Sequence, residues 1–166
     1  MQLLGAHNMQ NLAAARACCK AMGVDTKAFD GAMADFTGAA RRLEVMAQDK
    51  DKGFIAFRDF AHAPSKLKAT QASVVGQFPD RKVTALFELH TFSSLNKDFL
   101  PQYKGAMDEV HHAIVFFDPK VVAHKRLPKL DLAFVQASFG RTTIEVITEV
   151  YELEQRLSQV PDKQHV

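Results

Sequence analysis

Four short stretches concentrate side chains that bind or orient charged groups. The first is Gly5-Ala6-His7-Asn8-Met9-Gln10-Asn11, at the mouth of a helix-forming run. Amides and an imidazole on a helix N-terminus can meet a nucleotide base or an anion, because the first-turn N–H groups are unpaired and the dipole is positive there. Asn8 could instead simply cap the helix, and taken alone the pattern favours the cap. The second stretch is Arg41-Arg42-Leu43-Glu44. Adjacent arginines point in different directions, so one can pair with Glu44 or another carboxylate while its neighbour reaches a phosphate bidentately. A solvated basic pair is the plainer alternative.

The third stretch, Asp59-Phe60-Ala61-His62-Ala63-Pro64-Ser65, lies between a strand pattern and a helix pattern. Open α/β sheets bind ligands at the carboxyl ends of their strands, and an Asp and a His there can bond a ribose or orient a substrate. The fourth, Glu88-Leu89-His90-Thr91-Phe92-Ser93-Ser94, comes after a second strand pattern. If the two strands are parallel neighbours, Glu88, His90 and the hydroxyls face the same crevice as Asp59 and His62. Taken in isolation, His90 reads as an ordinary half-buried imidazole.

Other candidates fall away. His111 and His112 are adjacent before a strand, where successive side chains face opposite sides, and no HExxH or His-x-His spacing occurs, so no metal site is expected. Cys18 and Cys19 are also adjacent, which gives neither a disulfide framework nor zinc spacing and fits a reducing cytoplasm. The chain has no G-x-x-x-x-G-K-[ST] loop, no G-x-G-x-x-G turn and no G-x-S-x-G elbow, so it cannot cradle a triphosphate by the usual loop.

Periodicity indicates the elements that must position these residues. An Ala- and Leu-rich helix is predicted over 8–22, stopped by Gly23, and a second is capped by Asp25 or Thr26 with Phe29, Met33 and Phe36 on one stripe and Gly38 as its end. The polar run 48–53 (QDKDKG) is expected to divide this helical pair from the β-rich remainder of the chain. Strands are then predicted over 54–60, 82–89, 112–117 and 144–148, and helices over 64–75, 97–107, 134–139 and 149–159, with 119–130 mostly loop. Such alternation implies an α/β fold with an open, mostly parallel sheet flanked by helices. At Lys163 to Val166 a further strand would begin, which gives the end the look of a cut.

The 166 residues suffice for one domain with an appendage, and 47% hydrophobic against 24% charged residues is the balance of a packed globule. A net charge of +2 gives no support to nucleic-acid binding. No apolar run approaches the roughly 20 residues of a membrane helix, and no charged-then-apolar leader opens the chain, so neither a membrane nor export is expected.

Taken together and in order, these motifs resemble the Mur ligases, ADP-forming amide ligases that attach amino acids or peptides to UDP-N-acetylmuramic acid. The family pattern of G-x-H-N-x-x-N, then F-x-G…R-R-L-E, then D-[DF]-[YF]-[AG]-H-x-P is matched by Gly5 to Asn11, Phe36 to Glu44, and Asp59 to Pro64. The Arg-Arg-Leu-Glu and Asp-Phe-Ala-His forms look most like the murein-recycling branch, whose acceptor is the tripeptide L-Ala-γ-D-Glu-meso-diaminopimelate. In the L-alanine-adding sister branch the stretch equivalent to 90–96 carries basic positions, where Thr91, Ser94 and Asn96 stand here. That difference implies an acceptor larger than alanine. The sister branch and a non-catalytic α/β module binding a peptide or anion remain the alternatives.

The resemblance implies a three-domain parent, with residues 1–42 the helical tail of a central ATPase domain and 43–166 a Rossmann-like C-terminal domain that lacks its last strand. It implies that His7, Asn8 and Asn11 line the adenine side of an ATP site, that Arg42 reaches the phosphates and that Asp59 bonds the ribose. His62, His90, Thr91, Ser93 and Ser94 would face the incoming peptide. ATP and Mg2+ would be held mainly by the central domain, no catalytic residue is expected in this part, and the part alone is expected to be inactive.

Overall fold

The computed structural model describes residues 5–39, 41–49, 51 and 53–160. Helices α1 (Ala6–Ala21) and α2 (Thr26–Ala34) open the chain. Gly5, not Asn8, occupies the N-cap of α1, with φ 89°, and no side chain caps that helix. Asn8 is therefore an internal residue of the first turn, which corrects its reading as a cap. Asp25 caps α2 by accepting from the Ala28 N–H, and α2 ends at Ala34, short of Gly38. Arg16 joins the two helices through a bidentate contact to Asp30, 2.9 Å on each arm.

The run 48–53 is not a divide. Gln48 and Asp49 end β1 (Glu44–Asp49), which pairs antiparallel with β2 (Phe54–Arg58), with a bulge between Val45 and Ala47. β1 lacks a strand signal because its outward residues are apolar: Val45 and Met46 are exposed, which hides the alternation. The sequence pattern assigns β2 to the parallel sheet. Instead the two strands form a sheet of their own.

The main sheet has the order β3-β4-β5, all parallel: β3 (Thr84–Glu88), β4 (His112–Phe116) and β5 (Glu145–Ile147). Around it lie α3 (Pro64–Gln77), α4 (Pro119–His124), α5 (Leu132–Phe139) and α6 (Val150–Ser158). Pro64 and Pro119 open their helices, where a missing N–H costs nothing. The helix expected over 97–107 is reduced to a 3-10 turn, Leu100–Tyr103, in a stretch of turns. One face of the sheet, with Phe87 and Val115, meets Leu67 and Val74 of α3, Tyr103 of the turn and Val135 and Phe139 of α5. The opposite face presents Ile114, Phe116 and Ile147 to Leu153 and Leu157 of α6. The further strand expected from Lys163 onward lies outside the described residues.

Arg141 ties the loops below this sheet together. Its guanidinium donates to the carbonyls of Met107, Val110 and His111 at 2.6, 2.7 and 2.9 Å. His111 accepts the Val83 N–H on Nδ1 at 3.0 Å, so that imidazole is a structural acceptor ahead of β4.

Candidate functional site

Residues 41–44 form a kinked loop in which two non-glycine residues adopt left-handed backbone, Arg41 at φ 59° and Leu43 at φ 47°. Each such conformation costs about 1 kcal/mol without local compensation. Two carboxylates compensate it. Glu44 Oε2 accepts the Arg41 N–H at 2.8 Å and Arg58 Nη2 at 3.0 Å. Asp59 Oδ2 accepts the Leu43 N–H at 2.8 Å, while Thr70 Oγ1 on α3 donates to Oδ1 at 3.2 Å. The Arg41 N–H, then the Arg58 guanidinium, hold the Glu44 carboxyl below the usual carboxylate range. Leu43 meanwhile packs its side chain on the core, and Arg42 stands exposed between the two clamped amides. Glu44 thus forms its ion pair with Arg58, while the Arg41 charge acts on it without a salt bridge.

At the two strand ends the same local device recurs. His62 Nδ1 lies 3.0 Å from the Phe60 carbonyl, and His90 Nδ1 lies 3.3 Å from the Glu88 carbonyl. A neutral imidazole that donates Nδ1–H to such a carbonyl keeps Nε2 as its acceptor. Although β2 and β3 are not sheet neighbours, their ends converge on Phe60. That ring is 53% exposed, and its centroid is 5.1 Å from the His62 ring and 6.3 Å from the His90 ring. The fully buried Tyr103 fixes the first of these ends by donating its hydroxyl to the His62 carbonyl at 2.5 Å. Burial pushes the Tyr103 phenol up to about 12, so it remains a donor through the neutral range.

After His90 the chain turns on a Thr91–Ser94 exchange. Thr91 N–H donates to Ser94 Oγ and Ser94 N–H to Thr91 Oγ1, both at 3.0 Å. Ser94 is 1% exposed, so it builds the turn and does not face outward with the other hydroxyls. Ser93 and Phe92 project to solvent, and Lys125, just past α4, sets its ammonium 4.2 Å from the Phe92 ring centroid.

The helix mouth sits against α3. Ser73 Oγ is 3.4 Å from His7 Nδ1, and a Cβ at position 5 would collide with the Ser73 side chain, so only glycine allows this approach. Asn8 is half-buried and Asn11 exposed on the same helix. The sequence-predicted residues therefore form two groups. His7, Asn8, Arg42 and Asp59 lie along α1, the kinked loop and α3, whereas His62, His90, Thr91 and Ser93 lie at the strand ends. Phe60, Phe92, Tyr103, Lys125 and Thr70 join them without any role that residue type and spacing had suggested. Tyr103 stands between Gln102 and Lys104, so its burial has no local signal, and contacts such as Thr70 to Asp59 leave no pattern in sequence either. Among the described residues no group of three or more His, Cys, Asp or Glu side chains could hold a metal ion.

No family model matches the chain. Curated relatives do: it is 32% identical over 131 residues, 75% of its own length, to the UDP-N-acetylmuramate–L-alanine ligase of Roseiflexus sp.. It is also 30% identical over 161 residues, 96% of its length, to the bifunctional enzyme MurC/Ddl of Chlamydia trachomatis. The chain belongs to the Mur ligase family. It spans 28% of the first of these relatives and 19% of the second. Solved Mur ligases share its fold. The UDP-N-acetylmuramate-alanine ligase MurC of Thermotoga maritima superimposes with a TM-score of 0.74 at 18% identity, over 98% of this chain and 34% of that one. The murein peptide ligase of Psychrobacter arcticus gives 0.65 at 18% identity, over 99% and 34%. A folylpolyglutamate synthase of Mycobacterium tuberculosis, solved with ADP, gives 0.64 at 18% identity, over 95% and 34%. The α/β fold with its parallel sheet is thus that of the Mur ligase C-terminal domain.

Proposed function

We propose that this chain is the acceptor-binding and ATP-site-completing portion of a ligase that joins UDP-N-acetylmuramic acid to L-Ala-γ-D-Glu-meso-diaminopimelate. The observation that carries the reading is that the chain presents two kinds of binding chemistry, a clamped loop offering Arg42 and two strand ends offering paired imidazoles around Phe60. Residues 1–42 belong, on this reading, to the ATPase domain of the parent and 43–166 to its C-terminal domain. His7, Asn8 and Asn11 face the adenine, and Arg42 reaches the phosphates. Asp59, whose oxygens accept the Leu43 N–H and the Thr70 hydroxyl, supports the same edge, and the ribose contact that the resemblance implies for it is the competing role of that carboxylate. A cytoplasmic location is part of the proposal, in keeping with the free cysteines Cys18 and Cys19.

The reaction has two steps: the muramate carboxylate attacks the γ-phosphate to give an acyl phosphate and ADP, and the alanine amine of the acceptor then displaces phosphate. With Nε2 of His62 and His90 as acceptors, the strand ends suit the hydrogen-rich amino end of the acceptor. Thr91, Ser93 and the Lys125 ammonium suit its carboxylates, and Ser94 supports the turn that presents them. Mg2+ would neutralise phosphate charge and, on this reading, would be held mainly by the ATPase domain. No step on this chain is assigned to it.

A second reading takes L-alanine alone as acceptor, and the names of the sequence relatives favour it. Both acceptors present the same alanine amine, so the chain's roles are unchanged. ATP-dependent ligation by the reading frame that contains this chain, with UDP-N-acetylmuramic acid and each acceptor in turn, separates the two. Product with the tripeptide and not with alanine is the expected result. Product with alanine alone would move the enzyme to the second reading, and product with neither would reject the ligase reading. Residues 1–166 alone are expected to give no product.

A further inference from the structure

We infer that Asp59 and Glu44 are positioning residues whose task is to hold the 41–44 loop in the strained form that presents Arg42 to an anionic ligand. The inference rests on the reading of Arg42 as a phosphate contact and adds to it a means of presentation. Left-handed backbone at Arg41 and again at Leu43 is not what these side chains select for themselves, since a β-carbon is crowded in that conformation. Strain of this kind persists where surrounding structure over-determines it. Here the surroundings are specific: one carboxylate captures the amide before Arg42 and another captures the amide after it.

Each clamp is itself braced. Arg58 of β2 holds Glu44, and Thr70 of α3 holds Asp59, so the loop is tied to the hairpin and the helix at once. Leu43 adds an apolar anchor on the core. Both carboxylates nearest Arg42 are thereby engaged by backbone N–H groups and their braces. Among the described residues the Arg42 guanidinium has neither an ion pair nor a hydrogen bond, and it remains exposed. A planar five-donor cation on a rigid support is pre-organised for bidentate contact with a phosphate or carboxylate. With the loop backbone already held, binding has to order only the side chain.

The role differs in a measurable way from direct contact between Asp59 and a ribose. A direct contact makes Asp59 independent of Arg42. A clamp makes it act through Arg42, so the two effects must be non-additive. The test is a double-mutant cycle in the full reading frame, with Arg42→Ala, Asp59→Ala and the pair, reading KM for ATP and KM for the acceptor separately. Hydrogen exchange of the backbone amides of 41–44 is followed in the same proteins and in Glu44→Ala. Each single variant of the cycle is expected to raise KM for ATP about tenfold or more, as loss of one charge-assisted contact would, and the pair no further than Arg42→Ala alone. Asp59→Asn, which keeps an acceptor oxygen, is expected to recover part of the loss. Exchange at 41–44 is expected to be slow in the parent protein and to accelerate in Asp59→Ala and Glu44→Ala but not in Arg42→Ala. Additive effects on KM, or exchange unchanged by loss of either carboxylate, would overturn the inference. Should the parent protein form no product at all, the ligase reading fails, and the exchange comparison alone still decides whether the clamps exist.

Discussion

The helical pair α1–α2 and the β3-β4-β5 region hold together in different ways. Neither helix of the pair has a buried residue, and Met22 is 82% exposed. An exposed Arg16–Asp30 pair joins them, a kind of interaction worth little by itself. In the sheet region Leu100, Tyr103, Ile114, Val115 and Val135 are entirely enclosed, and Tyr103 stacks on Phe139 with centroids 5.3 Å apart. The contrast teaches where each part's order comes from. The sheet carries its own core, whereas the pair leaves Met9 and Phe36 partly uncovered.

Phe139→Ala should expose the contrast most strongly. It removes a ring packed between Phe87 and Tyr103, and a loss of about 3–5 kcal/mol is expected in denaturant unfolding. Leu12→Ala on α1 should cost less than about 1 kcal/mol, since only a half-buried side chain is cut back. Equal losses would mean that the pair shares the core of the sheet.

Much of this division is legible in sequence. The four segments predicted as strands do form strands, and Pro64, Asp25 and Gly23 mark helix boundaries where their chemistry says they should. Inferences about partners fare worse. β1 escapes the periodicity because Val45 and Met46 face solvent, and the helix expected over 97–107 does not form because Pro101 and the turn-forming Asn96 and Gly105 break it. Pairing is a property of two distant segments, so nothing local in 54–58 announces a hairpin in place of a parallel neighbour. For the candidate site, residue types single out segments that the fold brings together, 41–44 with Asp59 and the strand ends around Phe60. The left-handed loop and the buried hydroxyl of Ser94 depend on tertiary contacts and are not readable from the string.

A smaller effect sharpens the comparison within the strand ends. Tyr103→Phe keeps the stack on Phe139 but deletes the hydrogen bond to the His62 carbonyl, and a loss of about 1 kcal/mol is expected. If His62 faces the acceptor, KM for the acceptor should rise with it while KM for ATP stays fixed; a rise in both would place His62 elsewhere.

The smallest predicted effect depends on pH. Arg156 hydrogen-bonds Glu145 at 2.7 and 2.8 Å and lowers its pKa against the opposing effect of desolvation. A carboxyl depressed in the folded state contributes stability that is present above its ordinary value of 4.5 and is lost as pH falls through the folded value. Both side chains are partly exposed, so solvent screening keeps the effect modest. Glu145→Gln should therefore lower Tm slightly at pH 7 and by progressively less as the pH falls. A gap that grows on acidification would contradict the pairing.

The most direct test of the account is a comparison of Arg42→Ala with His90→Ala in the full ligase, measuring KM for ATP and KM for the acceptor in both. Two separate ligand edges on one chain predict that Arg42→Ala raises KM for ATP and spares the acceptor, while His90→Ala does the reverse. Parallel shifts of both constants in both variants would show that the two edges do not divide the ligands, and would contradict the account.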